Sequence, residues 1–222
     1  MQSRDRLIVA IDRSDRDDIL RLADALDGAA GLLKIGLQAF IANGPAIVRE
    51  LGSRVFLDLK VHDIPNTAKH AVAEAAALGV KMVTVHASGG AAMLEACATD
   101  ATLVLGVTIL TSLDDEELRR IGFAAPPLDS AVRLARLAKE SGLRGVVASP
   151  REIEAIREAC GNDLIIVTPG IRPAGSDAGD QRRATTPAAA IAAGADYIVV
   201  GRPITEASSP RDAALAIVDS LP

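Results

Sequence analysis

The sequence predicts an α/β protein in which eight strand–helix units close into one (β/α)8 barrel, a TIM barrel, spanning residues 1–222 as a single domain. Three observations carry that expectation. Short apolar runs of strand length alternate with amphipathic runs of helix length from one end of the chain to the other. No linker, low-complexity stretch or shift of composition divides them. The turn after the first run reads Ile11-Asp12-Arg13-Ser14 rather than a glycine-rich dinucleotide fingerprint, which disfavours a doubly wound open sheet. Strict alternation gives a parallel sheet under helical cover, and eight units suit this length.

The units follow in order. Leu7–Asp12 is the first strand, and Ser14 or Asp15 can cap a helix over Arg16–Leu26 that stops at Gly28. Leu32–Gly36 is the second strand, with a helix from about Gln38 to Leu51 and a break at Gly52. The third strand opens the stretch Phe56–Thr67, FLDLKVHDIPNT, and a helix over Asn66–Leu78 follows it. Met82–Ala87 is the fourth, leading to a short helix over Ala91–Ala98. Thr102–Leu110 is the fifth; its connection carries an acidic turn at Asp114–Glu117, a Pro126-Pro127 break and a helix over Ser130–Ser141. Gly145–Ser149 is the sixth, after which Ser149, Pro150 and Glu152 supply an N-cap, a first-turn proline and a capping-box acid. Leu164–Gly170 is the seventh strand, and Thr186-Pro187 starts a helix ending at Gly194. Tyr197–Gly201 is the eighth, and Ser209-Pro210 opens the last helix.

Composition narrows the function classes. At 49% hydrophobic and 24% charged residues, the chain can bury a sizeable core. A net charge of −5 without a basic stretch gives nothing to neutralise phosphates along a duplex. Zero Trp, one Tyr and three Phe remove the stacking platforms of single-strand binders, so no nucleic-acid partner is expected. Cys97 and Cys160 lack metal-ligand spacing and read as small buried hydrophobes of a reducing compartment. No apolar run has the length of a leader's core or of a membrane span, so the expected location is the cytoplasm.

Charge then marks one end of the predicted barrel. In such folds chemistry occurs at the C-terminal ends of the strands. Period-two alternation puts Leu57, Leu59 and Val61 on one face of the third strand and Phe56, Asp58, Lys60 and His62 on the other. Strands of a parallel sheet are normally apolar on both faces, and burying charge there is costly unless it is paired or used. Asp12 ends the first strand, Lys34 lies out of phase with Leu33 and Ile35 on the second, and His86 ends the fourth in phase with Thr84. A lone Asp or Lys at a strand end is usually solvated or ion-paired. Alternating charges delivered to one rim by neighbouring strands instead point to chemistry done by fixed electrostatics, with Lys60 expected between carboxylates as a protonated acid.

The far side of the rim has a different character. Gly201-Arg202 follows the eighth strand, where this fold commonly grips phosphate with backbone N–H groups and an arginine. The connection Ile171–Thr185 has no helical pattern, is long enough for a lid, and carries Arg172, Gln181, Arg182 and Arg183. Solvated surface charge suffices for Arg182 and Arg183. His70 reads as a surface helix residue and His62 as a structural donor; with no HxH or HxxxH spacing, no metal site is expected.

With those residues in place, the chain resembles the bacterial orotidine 5′-monophosphate decarboxylases. The D-x-K-x-x-D-I-P-x-T core within FLDLKVHDIPNT carries the likeness, together with VAID, LKIG, VHASGG, VTILTS, VTPGIRP, GDQRR and VVGRPIT. The D-x-K-x-x-D core alone is shared with other sugar-phosphate enzymes, which places the barrel in the ribulose-phosphate-binding type. The resemblance implies cofactor-independent decarboxylation of orotidine 5′-monophosphate to uridine 5′-monophosphate, the last step of de novo synthesis of that nucleotide. Lys60 matches the lysine that protonates the ring carbon left by the carboxylate, Asp58 the aspartate set against that carboxylate, and Lys34 and Asp63 the remainder of a charged network. Asp63 and Thr67 match residues that reach into a partner's site, implying a homodimer. Asp12 matches a ribose contact, Thr111 and Ser112 the loop against the base, and Pro169, Arg172, Gln181, Gly201 and Arg202 the phosphate side. The segment from Gly90 to Thr102 is shorter than in bacterial members, which leaves the Ala91–Ala98 helix cramped. Two other functions remain open on these residues. A metal-dependent 3-keto-L-gulonate 6-phosphate decarboxylase or hexulose-phosphate synthase would hold a divalent cation at the rim. An inactive phosphate-binding regulator would bind nucleotide without turnover.

Overall fold

The computed structural model describes residues 2–173 and 185–222. Eight strands close into a parallel barrel in sequence order: β1 (Leu7–Ile11), β2 (Leu32–Gly36), β3 (Val55–Val61), β4 (Met82–His86), β5 (Leu103–Val107), β6 (Gly145–Val147), β7 (Ile165–Thr168) and β8 (Tyr197–Val200). Closure comes from β8 pairing with β1, where Ile198 stands against Leu7 and Val200 against Val9. The end of β1 therefore adjoins the turn that leaves β8.

Alternation along the strands sorts the apolar residues into two cores. Leu7, Val9, Ile11, Leu33, Ile35, Leu57, Val83 and Val85 point outward and meet the helices. Ile8, Ala10, Leu32, Phe56, Met82, Leu105, Val167 and Val199 point inward and fill the barrel. The inner plug is dry, with Ile8, Phe56 and Met82 no more than 1% exposed. It leaves space only above it, at the C-terminal ends of the strands.

The helices begin and end where local chemistry dictates. Asp15 caps α1 (Arg16–Ala25) by accepting the Asp18 N–H. The single helix expected from Gln38 to Leu51 is instead two, α2 (Leu37–Asn43) and α3 (Pro45–Leu51). Gly44 between them adopts φ 64°, a left-handed backbone suited to glycine, and Pro45 lacks the N–H that would continue the ladder. Next come α4 (Pro65–Ala77) and α5 (Ala91–Cys97). The shortened α5 still forms, burying Met93, Leu94 and Cys97. The β5–β6 connection holds α6 (Asp115–Arg120), capped by Asp114, and α7 (Pro127–Glu140), which starts on Pro127, three residues before the expected Ser130. Ser149 and Glu152 make the expected capping box ahead of α8 (Ile153–Cys160). Thr186 caps α9 (Pro187–Ala192), a four-residue α10 (Arg202–Thr205) follows β8, and Ser209 caps α11 (Pro210–Asp219). Cys97 and Cys160 are buried free thiols, and burial raises the pKa of both. Among the described residues, no helix is long and apolar enough to cross a membrane.

One arginine ties the end of the barrel remote from the charged rim. Arg157 on α8 donates to the carbonyls of Leu164 and Gly194 and pairs with Asp196 at 2.6 Å. Asp196 also accepts the Ile166 N–H at 2.8 Å, so α8 is fixed to the starts of β7 and β8. Arg157→Ala should lower stability by about 2–3 kcal/mol, less than a fully dry pair because Asp196 keeps some solvent contact. Urea unfolding measures the loss; a midpoint within error of the parent would show the network dispensable. Turnover per folded molecule should be unchanged.

Candidate active site

The charged rim of β1–β4 is assembled around Asp58. Its side chain is 12% exposed, and both its oxygens lie 2.9 Å from Lys60 Nζ. Lys34 Nζ, on β2, approaches from the other side at 3.5 Å and stands equally far from Asp12 at the end of β1. Thr84 on β4 completes the set, its hydroxyl donating to Asp58 at 3.0 Å. The signs alternate along the rim as expected, Asp12, Lys34, Asp58, Lys60, but the place of Lys60 in the series differs. Within this chain the carboxylate of Asp58 lies between two ammoniums, whereas Lys60 was expected between carboxylates.

Burial alone would raise the pKa of Asp58. Lys34 and Lys60 oppose that effect, joined by hydrogen bonds from Lys60 and Thr84, and together they hold Asp58 below its ordinary carboxylate range. The site is thus built to keep a nearly buried carboxylate charged.

Backbone geometry sets this arrangement. Lys60 has φ 53°, the left-handed region that L side chains rarely adopt. The β3–β4 ladder slips at the same place: Leu57 pairs with Val83, but the next pair is Val61 with Val85. Extra β3 residues are thereby accommodated, and the Lys60 N–H is taken up by the Thr84 hydroxyl at 2.9 Å. Simple alternation predicts that Lys60 shares a face with Asp58, and it does so through a bulged turn rather than a straight strand. Gly36 makes room beside it, since a Cβ there would sit 3.1 Å from Lys34 Nζ.

Above the cluster opens a cavity of about 520 Å³. Asp12, Lys34, Asp58 and Lys60 line it on one side. Thr111 and Ser112 line it beyond β5, with apolar Ile109 and Leu110 beside them. Pro169, Arg172, Gly201 and Arg202 form the side after β7 and β8. The cavity lining therefore includes an ionic group, the apolar Ile109 and Leu110, and an arginine-bearing group. The connection after β7 is closed at its base, where Ile171 bridges Thr185 and Arg172 N–H donates to the Thr185 carbonyl at 2.9 Å. Gln181, Arg182 and Arg183 fall outside the described residues.

Two expected site residues are not brought to the cavity. Asp63 is exposed, and its carboxylate accepts the Ile64 N–H at 2.7 Å. Thr67 is exposed on α4. They follow Lys60 by three and seven residues and are absent from the cavity lining. His62 and His86 stack at a tilt, ring centroids 5.3 Å apart. Burial, then His62 and Lys60, lowers the pKa of His86, so its ring is neutral at neutral pH. Among the described residues no three His, Cys, Asp or Glu side chains converge to hold a metal ion. Sequence reasoning assigned no role to Thr84; its one signal was a hydroxyl on the inner face of a strand otherwise apolar up to His86.

Asp58 has a lowered pKa, so its ionised form contributes stability that is fully present above the ordinary value of about 3.9. That contribution should disappear as pH falls through the ordinary range and the lower native value. Urea unfolding between about pH 3 and pH 7 should show a steeper acid loss for the parent than for Asp58→Asn. Parallel curves for the two proteins would contradict this.

The combination of ionic cluster, apolar residues and arginines can be set beside known proteins. Residues 5–217 match the orotidine 5′-phosphate decarboxylase / HUMPS family. The orotidine 5′-phosphate decarboxylase of Moorella thermoacetica is 52% identical, over 98% of this chain and 92% of its own length. That of Pasteurella multocida is 48% identical, over 98% and 97%. The crystal structure of orotidine 5′-phosphate decarboxylase from Lactobacillus acidophilus superposes with a TM-score of 0.86 at 36% identity, covering 96% of this chain and 97% of that one. The chain belongs to the orotidine 5′-phosphate decarboxylase / HUMPS family.

Proposed function

We propose that this protein decarboxylates orotidine 5′-monophosphate to uridine 5′-monophosphate without a cofactor, the last step in making that nucleotide. The observation that carries the reading is Asp58, held as an anion at the cavity's end with Lys60 on one side and Lys34 on the other. A pyrimidine lying against Ile109 and Leu110, with Thr111 and Ser112 at its edge, would present its carboxylate to this end. The ribose would meet Asp12 and Lys34, and the phosphate would face Arg172, Gln181, Gly201 and Arg202, with Pro169 shaping that wall.

The chemistry follows from charge. A substrate carboxylate placed beside fixed, ionised Asp58 is repelled in the ground state, and the repulsion ends as neutral carbon dioxide forms. The C–C bond breaks with its electron pair left on the ring carbon. Lys60 Nζ neutralises that developing charge and delivers its proton to the same carbon, becoming a neutral amine that solvent reprotonates. Lys34 keeps Asp58 charged while Lys60 is spent. Binding energy from the remote phosphate is available to assemble this end of the site.

We read the working form as a homodimer. Exposed apolar Leu37 and Ile41 lie on one face of α2, and Ile64 stands beside Asp63, at 51%, 78% and 66% exposure. A second copy covering this patch would bring Asp63 and Thr67 to its own cavity and bring the partner's equivalents here. Asp63 would then give Lys60 the second carboxylate it lacks within one chain.

Three experiments test these statements. Ultraviolet absorbance should show loss of orotidine 5′-monophosphate at the same rate with and without EDTA. Loss of activity on chelation would favour the metal-dependent sugar-phosphate enzymes of the same barrel, and binding without turnover the inactive regulator. Lys60→Ala should cut turnover by about a thousandfold or more while uridine 5′-monophosphate still binds; near-parent turnover would remove Lys60 as proton donor. Mixing Lys60→Ala with Asp63→Ala and allowing subunits to exchange should restore activity to about a quarter of the sites, because only one site of each mixed dimer is intact. No recovery on mixing, with exchange verified, would refute the shared site.

A further inference from the structure

Arg13, the residue after Asp12, is partly buried in the cavity wall, and sequence reasoning gave it no role. Because β8 pairs with β1, Arg13 stands beside the turn that leaves β8. One guanidinium nitrogen donates to the Thr205 carbonyl at 3.3 Å, at the end of α10, whose first residue is Arg202. Arg13, Arg202, Thr205 and Glu206 therefore share one wall of the cavity.

The same guanidinium also borders a second, outer groove of about 450 Å³ between α1 and the start of α11. Its neighbours there, Asp18 and Arg21, are paired with each other. Some arginines of the molecule find carboxylates, as Arg16 does Glu50 and Arg157 does Asp196, while Arg211, like Arg13, bonds to carbonyls. Among the described residues no carboxylate lies within ion-pair distance of Arg13. Glu206 lies on the same wall beyond ion-pair distance, so this partly buried cation, with one neutral acceptor, keeps donors free for an anion. A guanidinium has five N–H donors in a planar fork that matches phosphate oxygens, and the Thr205 carbonyl takes only one of them.

We propose that Arg13 is a phosphate-specificity residue: it adds a cation from the β1 side to the phosphate end formed by the β7 and β8 turns, with the Thr205 carbonyl aiming its fork. The inference rests on the phosphorylated-substrate reading above. It predicts that Arg13 acts on the dianion and not on the base, the ribose or the bond that breaks.

The test compares a substrate with and without its phosphate. Arg13→Ala should lower kcat/KM for orotidine 5′-monophosphate about ten- to hundredfold. For orotidine, which lacks the phosphate, kcat/KM should change less than about twofold. Arg13→Lys should recover part of the loss, as a point charge without the fork. Equal losses on both substrates would show that Arg13 only braces α10, and no loss on either would remove it from the site; each result overturns the proposal. Inorganic phosphate, titrated by calorimetry against the parent and Arg13→Ala, separates this inference from the reading beneath it. Weaker phosphate binding in the variant upholds Arg13 even if the parent fails to decarboxylate orotidine 5′-monophosphate. Equal phosphate binding sinks Arg13 even if the parent is active.

Discussion

A carboxylate that is 12% exposed cannot stay ionised on its own account, and Asp58 does so through two ammoniums and a hydroxyl. Much of the local structure follows from that need. Lys34 passes close over Gly36, where a Cβ would stand 3.1 Å from its ammonium, and Lys60 turns inward because β3 abandons its ladder with β4 for a few residues. Thr84 serves both changes, accepting the backbone N–H that the slipped ladder releases and donating to the carboxylate. The apolar plug beneath contributes indirectly. Phe56 and Met82 keep water from reaching the cluster from below, so its charges interact through a medium of low polarity.

The barrel separates this chemistry from the forces that hold it together. At the C-terminal ends of the strands, side chains are placed for charge, and some of that placement opposes folding. At the other end, Arg157 saturates carbonyls and one carboxylate in a network with no opening toward the cavity. The middle is filled by interlocking aliphatic side chains. A change at one end therefore reaches the other only through a stiff, well-packed core.

Most of the fold was legible because each signal was local. Period-two runs gave the strands, and Ser149, Thr186 and Ser209 announced their helices by side-chain capping. The Asn43-Gly44-Pro45 break was legible too, and the amphipathic pattern running across it concealed two helices behind one. The charged strand ends also read correctly, since inward phase at a barrel rim is a sequence property. The place of Lys60 at the end of the alternating series did not. Which ion sits between which depends on a left-handed turn at Lys60 and a ladder slip, and lysine carries no propensity that announces either. Arg13 and Thr84 were missed for a related reason: their significance comes from neighbours on strands distant in sequence, β8 for one and β3 for the other.

Of the residue types that could occupy position 60, glycine would suit the backbone best, because a φ of 53° costs it nothing and costs a lysine on the order of 1 kcal/mol or more. The chain thus holds an ammonium at a point where the backbone alone would favour a glycine. Replacing that lysine would relax the backbone and at the same time strip a nearly buried carboxylate of its nearest ammonium, so the strained turn and the ion pair are kept or lost together.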